Sequence, residues 1–149
     1  MAQYKWCNDE IVISMNSATY QGQCLCGKVK YQAQDMSKNM AHCHCTMCRK
    51  FHGAAFSTYG SVLRENLVWL NGENYLKSYV ASNGSTRKFC QNCGSSLVFI
   101  SAGDEERVEL ALATLDNPPD LRPDAHIYTE SKVSWLSIND DLPKYDQSR

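Results

Sequence analysis

The distribution of cysteines constrains this chain more than any other feature of its sequence. Eight of the 149 residues are cysteines, and seven of them form three short groups with the spacings C-x-C, C-x-C-x-x-C and C-x-x-C. The groups are Cys24 and Cys26; Cys43, Cys45 and Cys48; and Cys90 and Cys93. A single cysteine is usually a small buried apolar residue, whereas cysteines at these spacings are typical of metal ligands. The remaining one, Cys7, is expected to be a bystander thiol.

The rest of the composition favours metal ligands over disulfides. The segment Met1–Trp6 lacks the apolar stretch of a secretory signal, and no apolar run approaches the ~20 residues of a membrane span. We therefore expect a cytoplasmic protein with no membrane partner. Because reducing compartments disfavour disulfides, clustered cysteines there indicate metal binding or catalytic thiols.

Short apolar segments separated by turn signals predict a mainly β fold in a single domain. We expect an N-terminal extension over residues 1–18, a metal-binding domain over residues 19–145 and a tail over residues 146–149. The segment Met40–Gly53 is predicted to be a loop with at most one helical turn near Arg49–His52. Strands are predicted at ten places, among them Ala54–Tyr59, Val108–Leu115 and Val133–Ile138.

Two of the cysteine groups are followed by glycine, at Gly27 and Gly94. A glycine after the second ligand suits a tight turn in which backbone N–H groups point at the sulfur. Two such turns from distant parts of the chain make one four-cysteine site, and joining them closes a long loop, where a cross-link stabilises most. Cys24, Cys26, Cys90 and Cys93 are therefore predicted to hold a structural zinc.

The middle group is predicted to hold a second zinc by a different arrangement. Cys43, Cys45 and Cys48 lie within six residues, so one loop can wrap three thiolates around a metal and leave a fourth position open. Structural zinc sites use four protein ligands, whereas catalytic sites keep three. The alternative is a second structural site, completed by His42, His44 or His52.

The formal net charge is −1, but it divides into +5 over residues 1–103 and −6 over residues 104–149. Several cations flank cysteines, where they can stabilise thiolates, and these are Lys28, Lys30, Arg49, Lys50, Arg87 and Lys88. Ionising seven thiols and binding two Zn²⁺ makes the protein more acidic than its formal charge. A basic surface of the kind that binds nucleic acid is therefore not expected.

Three cysteine-containing stretches resemble those of the glutathione-dependent formaldehyde-activating enzyme family, which also includes centromere protein V. They are Gln21–Tyr31, His42–Lys50 with the following Gly53–Phe56, and Arg87–Ser95. Weaker similarity continues through Leu115–Asp116, Pro123, His126–Tyr128, Trp135 and Asp141–Pro143. The resemblance covers Thr19 to Tyr145 and leaves the N-terminal segment unmatched.

The resemblance implies a zinc-containing, Mss4-like β fold. It also implies that the first and third cysteine groups hold a structural zinc and the middle group a catalytic one, in agreement with the division made from spacing. The family takes its name from joining glutathione to formaldehyde as S-hydroxymethylglutathione. Membership of a fold family does not by itself transfer an activity.

The leading hypothesis is a carbon–sulfur lyase in which glutathione, or another thiol, binds at the three-cysteine zinc and adds to a small aldehyde. Arg49 and Lys50 are predicted to pair with the carboxylates of glutathione, and His44 or His52 to move the proton. Two alternatives remain: a non-catalytic zinc module that binds protein or chromatin, and a carrier of thiol adducts.

Overall fold

The computed structural model describes residues 18–117 and 120–149. Within these residues there are ten strands in two sheets and a single α-helix. Cys7 and nearly all of the predicted extension, residues 1–18, lie outside the described part. No helix in the described residues is long and apolar enough to cross a membrane.

The smaller sheet has three antiparallel strands in the order β1 (Thr19–Gln23), β2 (Lys30–Gln34) and β5 (Leu67–Asn71). Gly22 of β1 lies opposite Tyr31 of β2, and a side chain at Gly22 would come within 2.4 Å of the Tyr31 ring. The Tyr31 hydroxyl is 2.7 Å from the Thr114 hydroxyl, which fixes the ring across the sheet. Tyr31 is fully buried as a result.

The larger sheet has seven strands in the order β10-β3-β4-β9-β8-β7-β6. All neighbours are antiparallel except β10 and β3, which are parallel. The strands are β3 (Met40–Cys43), β4 (Ser57–Leu63), β6 (Leu76–Val80), β7 (Thr86–Cys90), β8 (Ser96–Ile100), β9 (Arg107–Ala111) and β10 (Ala125–Ile127).

The two faces of the larger sheet have different roles because side chains alternate along each strand. One face contributes Met40, Val62, Val98 and Leu110 to the main core, together with Tyr31 from the smaller sheet. Full burial of each of these side chains stabilises the fold by about 2 kcal/mol. The opposite face is the one that carries the candidate site.

On this second face, four consecutive strands place one side chain each in a single transverse row. Ser61 of β4 pairs with Glu109 of β9, Glu109 with Phe99 of β8, and Phe99 with Arg87 of β7. Two residues earlier in β4, and on the same face, Tyr59 lies opposite Ala111. Helix α1 (Thr46–His52) lies against this face.

Helix α1 is longer than the predicted single turn. The Cys45 sulfur caps its first turn, and Gly53 ends it in the left-handed conformation (φ 60°), where its N–H donates to the Arg49 carbonyl. A thiol cap and a left-handed glycine are sufficient to define a two-turn helix. The prediction also missed β3, since Met40–Cys43 is a strand and not part of the loop.

Three of the predicted strands were wrong in part or entirely. The strand predicted over Ala54–Tyr59 begins at Ser57 and runs to Leu63. The strand predicted over Val108–Leu115 ends at Ala111 and continues as a 3₁₀ turn over Leu112–Thr114. The segment Val133–Ile138 forms no strand. Its chain turns around the half-buried Lys132 ammonium, which donates to the carbonyls of Val133 and Leu136, and tertiary contacts of this kind can override an apolar pattern.

Candidate metal centres

Four cysteine sulfurs from two distant turns converge at the junction of the two sheets. The Cys24, Cys26, Cys90 and Cys93 sulfurs all lie within 4.8 Å of one another. Those of Cys24 and Cys26 are 3.5 Å apart, and those of Cys26 and Cys90 are 3.9 Å apart. Zn–S bonds of about 2.3 Å in a tetrahedron place sulfurs about 3.8 Å apart, so the set fits zinc.

Backbone N–H groups point at these sulfurs, as the glycine turns predict. The Val29 N–H donates to the Cys24 sulfur at 3.3 Å, and the Lys28 N–H lowers the pKa of the Cys26 thiol. Gly27 and Gly94 both adopt left-handed backbone, with φ of 72° and 78°. Such turns stabilise thiolates before a metal arrives.

The position of this cluster suits a structural role. Cys24 follows β1 of the smaller sheet and Cys90 ends β7 of the larger one, so a shared metal would join the two sheets. Cys24 and Cys90 are buried. Four cysteines complete a tetrahedron and leave no position for a substrate.

The second cluster comes from a single loop between a strand and a helix. Cys43 ends β3, Cys45 caps α1, and Cys48 lies in the first turn of that helix. Their sulfurs lie within 4.8 Å of one another. Hydrogen bonds from the Cys43 and Cys48 thiols lower the pKa of the Cys45 thiol, and the same contact raises the pKa of Cys43. Three sulfurs this close ionise together only with a bound cation, which fits a metal site.

A buried arginine adjoins the three-cysteine cluster. Arg87 is 3% exposed, its Nη2 is 3.9 Å from the Cys48 sulfur, and its Nη1 donates to the Ser85 hydroxyl. The rings of Phe99 and Phe51 flank the guanidinium at 5.0 and 5.7 Å. Arg87 forms no ion pair with a carboxylate in the part of the chain that the structure describes. A buried cation needs a compensating anion, and a thiolate cluster supplies one.

A cavity of about 580 Å³ opens beside the three cysteines on the second face of the larger sheet. Cys43 and Cys48 form part of its wall, next to Tyr59 and Phe99. Its other end is polar and includes Ser61, Arg107 and Glu109. Burial raises the pKa of Glu109 and outweighs the opposing effects of a hydrogen bond with Ser61 and of the Arg107 charge.

The histidines near the loop are bound to other groups. The His44 ring is fully buried, and its Nε2 lies 2.8 Å from Nδ1 of His126, whose Nε2 in turn lies 2.9 Å from the Asp140 carboxylate. His42 contacts Thr58, and His52 lies 2.6 Å from the Tyr59 hydroxyl. Neither cysteine cluster includes a histidine nitrogen among the described residues. The alternative of a histidine fourth ligand therefore finds no support in this geometry.

Arg49 and Lys50 lie on α1, outside the cavity wall. The Arg49 side chain donates to the His44 carbonyl and the Thr46 hydroxyl, and so braces the cysteine loop.

Sequence analysis noted Arg87 only as one cation beside a cysteine and missed Arg107 and Glu109. No sequence signal identifies that pair, because it reaches the cavity through the register of β4 and β9.

The fold and these clusters define a class of protein: a mainly β domain with a four-cysteine site joining its sheets and a three-cysteine site open to a cavity. Either cluster can hold a metal ion. The sequence model of the glutathione-dependent formaldehyde-activating enzyme family matches residues 19–131, and the chain belongs to that family. The resemblance and the mainly β fold predicted from the sequence are thereby confirmed.

Individual relatives agree with this assignment. An uncharacterized lyase of Schizosaccharomyces pombe is 31% identical over 80 residues, a match that covers 54% of this chain. The match spans 56% of that relative, little more than half of its length. A crystal structure of a Rhodobacter sphaeroides protein is similar with a TM-score of 0.58 over 67% of this chain and 91% of the other, at 20% identity. That similarity establishes the fold.

Proposed function

We propose that this protein is a zinc-dependent carbon–sulfur lyase that joins a thiol, glutathione in the leading case, to a small aldehyde such as formaldehyde, or catalyses the reverse. One observation carries the proposal: the Cys43, Cys45 and Cys48 sulfurs converge, Cys43 and Cys48 form part of a cavity wall, and no fourth protein ligand joins the three within the described residues. The family and the lyase named among its relatives support the same chemistry.

The proposal assigns two zinc ions per chain to two different tasks. The ion at Cys24, Cys26, Cys90 and Cys93 joins the sheets. Zinc at the three-cysteine cluster, when bound, supplies an open position that holds a substrate thiol as its thiolate.

In the addition, a sulfur–carbon bond forms between the substrate thiol and the aldehyde carbon. The π electrons of the carbonyl move to its oxygen, which takes up the proton lost by the thiol, so no oxidant or reductant is needed. The Arg87 guanidinium offsets the negative charge that accumulates around the Cys48 sulfur. Tyr59 and Phe99 form the aromatic part of the cavity wall beside Cys43 and Cys48.

In this proposal the protein binds a small thiol and is located in the cytoplasm. Glutathione is the thiol that the family name specifies. All seven described cysteines are unpaired thiols, as a reducing compartment requires.

Calorimetry with the zinc-loaded protein tests the proposal, with formaldehyde consumption followed in parallel. Glutathione should bind well, and S-methylglutathione should bind at least tenfold more weakly because a thioether is a poor zinc ligand. Equal affinity for both would show that the sulfur does not reach the metal. Tight binding of glutathione without turnover of any small aldehyde would favour a carrier or binding module.

The predicted contacts of Arg49 and Lys50 with the substrate carboxylates belong to the same test. Arg49→Ala should weaken glutathione binding by about 1 kcal/mol if the cation forms a partly exposed ion pair. An unchanged affinity would assign Arg49 to bracing the loop through His44 and Thr46 alone.

A further inference from the structure

His44 stands between two cysteines of the three-cysteine cluster and is held through both its backbone and its ring. Its backbone N–H donates to the Ile127 carbonyl at 3.0 Å. The ring is fully buried, with Nε2 2.8 Å from Nδ1 of His126. Because Cys43 and Cys45 are its chain neighbours, whatever fixes His44 also constrains the backbone that carries both sulfurs.

Strand β10 supplies these contacts and connects them to the surface. It runs parallel to β3, so that Ile127 lies opposite Cys43. The His126 ring is buried, and its Nε2 lies 2.9 Å from a carboxylate oxygen of Asp140, whose side chain is 47% exposed. A chain of three polar side chains therefore runs from the cysteine loop to solvent: His44, His126 and Asp140.

The position of the Asp140 carboxylate is set by backbone hydrogen bonds. The His126 N–H donates to the Pro143 carbonyl at 2.8 Å, and the Tyr145 N–H donates to the His126 carbonyl at 2.9 Å, so the C-terminal segment is attached to β10. The Leu142 N–H donates to the carboxylate of Asp140 at 3.1 Å. The acceptor for the His126 ring is thus held in place by the segment that follows it.

The carboxylate also sets the direction of the hydrogen bonds along the chain. The hydrogen bond with His126 holds the pKa of Asp140 below its ordinary value, so the carboxylate is ionised at neutral pH and can only accept. His126 Nε2 is then a donor, and in the neutral ring Nδ1 accepts from His44 Nε2. His44 Nδ1, buried without a hydrogen-bond partner in the described residues, is left as a lone pair and not as an unpaired N–H.

We infer that Asp140 and His126 are positioning residues for the three-cysteine cluster: through the His44 ring they hold the turn between Cys43 and Cys45 in the geometry that binds a metal. The inference rests on the proposed function only in taking this cluster as a zinc site, and it requires no particular thiol or aldehyde. Neither residue belongs to a cysteine cluster itself. Outer-shell partners of this kind change metal affinity 10- to 100-fold.

Chelator competition on the zinc-loaded protein tests the inference. Asp140→Ala removes the acceptor and should lower zinc affinity at the three-cysteine cluster about tenfold, with the four-cysteine site unchanged as internal control. Asp140→Asn keeps an acceptor oxygen and should recover most of the affinity. Asp141→Ala is the matched control, because it removes the same charge from the adjacent exposed residue. It should leave the affinity within twofold of the native value.

Nitrogen NMR of the histidine rings separates positioning from a general loosening of the fold. At pH 8, above the ordinary histidine pKa of about 6.5, His44 and His126 of the native protein should each show one tautomer, with the proton on Nε2. Asp140→Ala should show mixed tautomers at both rings while its circular dichroism stays native. A general structural role would not change the tautomers in this way.

The possible failures are distinguishable. Unchanged zinc affinity in Asp140→Ala, an equal loss in Asp141→Ala, or mixed tautomers in the native protein would overturn the inference and leave the proposed function standing. Absence of zinc from the three-cysteine cluster of the native protein would overturn both.

Discussion

The backbone N–H of Cys48 points at the sulfur of Cys45, 3.3 Å away, so the thiol that caps helix α1 also belongs to the three-cysteine cluster. The helix therefore begins at one cysteine of the cluster, and the last cysteine of the cluster lies in its first turn. The start of the helix and the geometry of the cluster therefore depend on the same residue, Cys45.

This double role makes Cys45→Ser an informative substitution. Serine is itself a strong N-cap, so its hydroxyl can accept the Cys48 N–H and keep the helix. It is a poor zinc ligand, so the second metal should be lost. We expect the melting temperature to change by only a few degrees, with zinc content falling from two ions to one and thiol-dependent chemistry abolished. Elemental analysis with thermal denaturation measures both, and retention of two zinc ions would contradict the assignment.

Cys90→Ser should act on folding instead. This sulfur is buried at the junction of the sheets, and structural zinc contributes directly to folding free energy. We expect the free energy of unfolding to fall by more than about 5 kcal/mol, which is enough to unfold a domain of ordinary stability. Circular dichroism and metal analysis report the outcome, and Cys7→Ser is the control because sequence analysis sets that thiol apart from both clusters. A folded Cys90→Ser protein with its metal retained would show that the cysteines divide differently.

Arg87 should govern the affinity of the second cluster for zinc. Arg87→Met keeps much of the packing between the rings of Phe51 and Phe99 but removes the charge beside Cys48. We expect zinc affinity at this cluster to fall about 10- to 100-fold, the usual effect of losing an outer-shell partner. Chelator competition measures it, with the four-cysteine site as internal control. Arg87→Lys should retain part of the affinity, and an unaltered affinity in Arg87→Met would exclude an electrostatic role.

Gly72→Ala should destabilise the fold through the first cysteine turn. Gly72 has φ of 73°, and a Cβ there would lie 1.9 Å from the Lys28 carbonyl oxygen. We expect the free energy of unfolding, measured by urea denaturation, to fall by at least about 2 kcal/mol because backbone strain and the clash act together. Gly103→Ala provides the matched control, since its φ is 78° but nothing lies within 4 Å of the added Cβ. Similar losses in the two variants would show that strain alone is responsible.

Glu109 should make stability depend on pH. Burial raises its pKa above the ordinary 4.5, so the folded protein binds this proton more tightly than the unfolded chain does. A hydrogen bond with Ser61 and the charge of Arg107 oppose this shift, and Asp104 adds to it. Glu109 therefore favours folding most at low pH, and this advantage disappears as the pH rises through its folded-state pKa. The melting temperature of Glu109→Gln minus that of the native protein should therefore be more positive at pH 7 than at pH 4. The same difference at both pH values would contradict the shift.

Sequence reasoning grouped the cysteines as the structure does because the spacing of such residues is a local property. Cys43, Cys45 and Cys48 lie in one loop, and the turns at Gly27 and Gly94 have a recognisable local chemistry. The mainly β class followed from short strands and turn signals. Elements such as β3 and the 3₁₀ turn after Ala111 depend on neighbouring strands and leave little local signal.

The cavity could not be predicted for the same physical reason. Its polar end joins Ser61, Glu109 and Arg107 across β4 and β9, and a shift of one residue in that pairing would turn Glu109 to the opposite face. The His126–Asp140 contact likewise depends on how the C-terminal segment follows β10.

The contrast between one local cluster and one assembled from distant turns also has a consequence for biosynthesis. All three cysteines of the loop cluster have been synthesised by Cys48, whereas the four-cysteine set is incomplete until Cys93, 45 residues later. At ordinary elongation rates this interval is roughly 2–9 s. The nascent chain therefore carries the complete three-cysteine cluster for seconds before the four-cysteine set that brings the two sheets together can form.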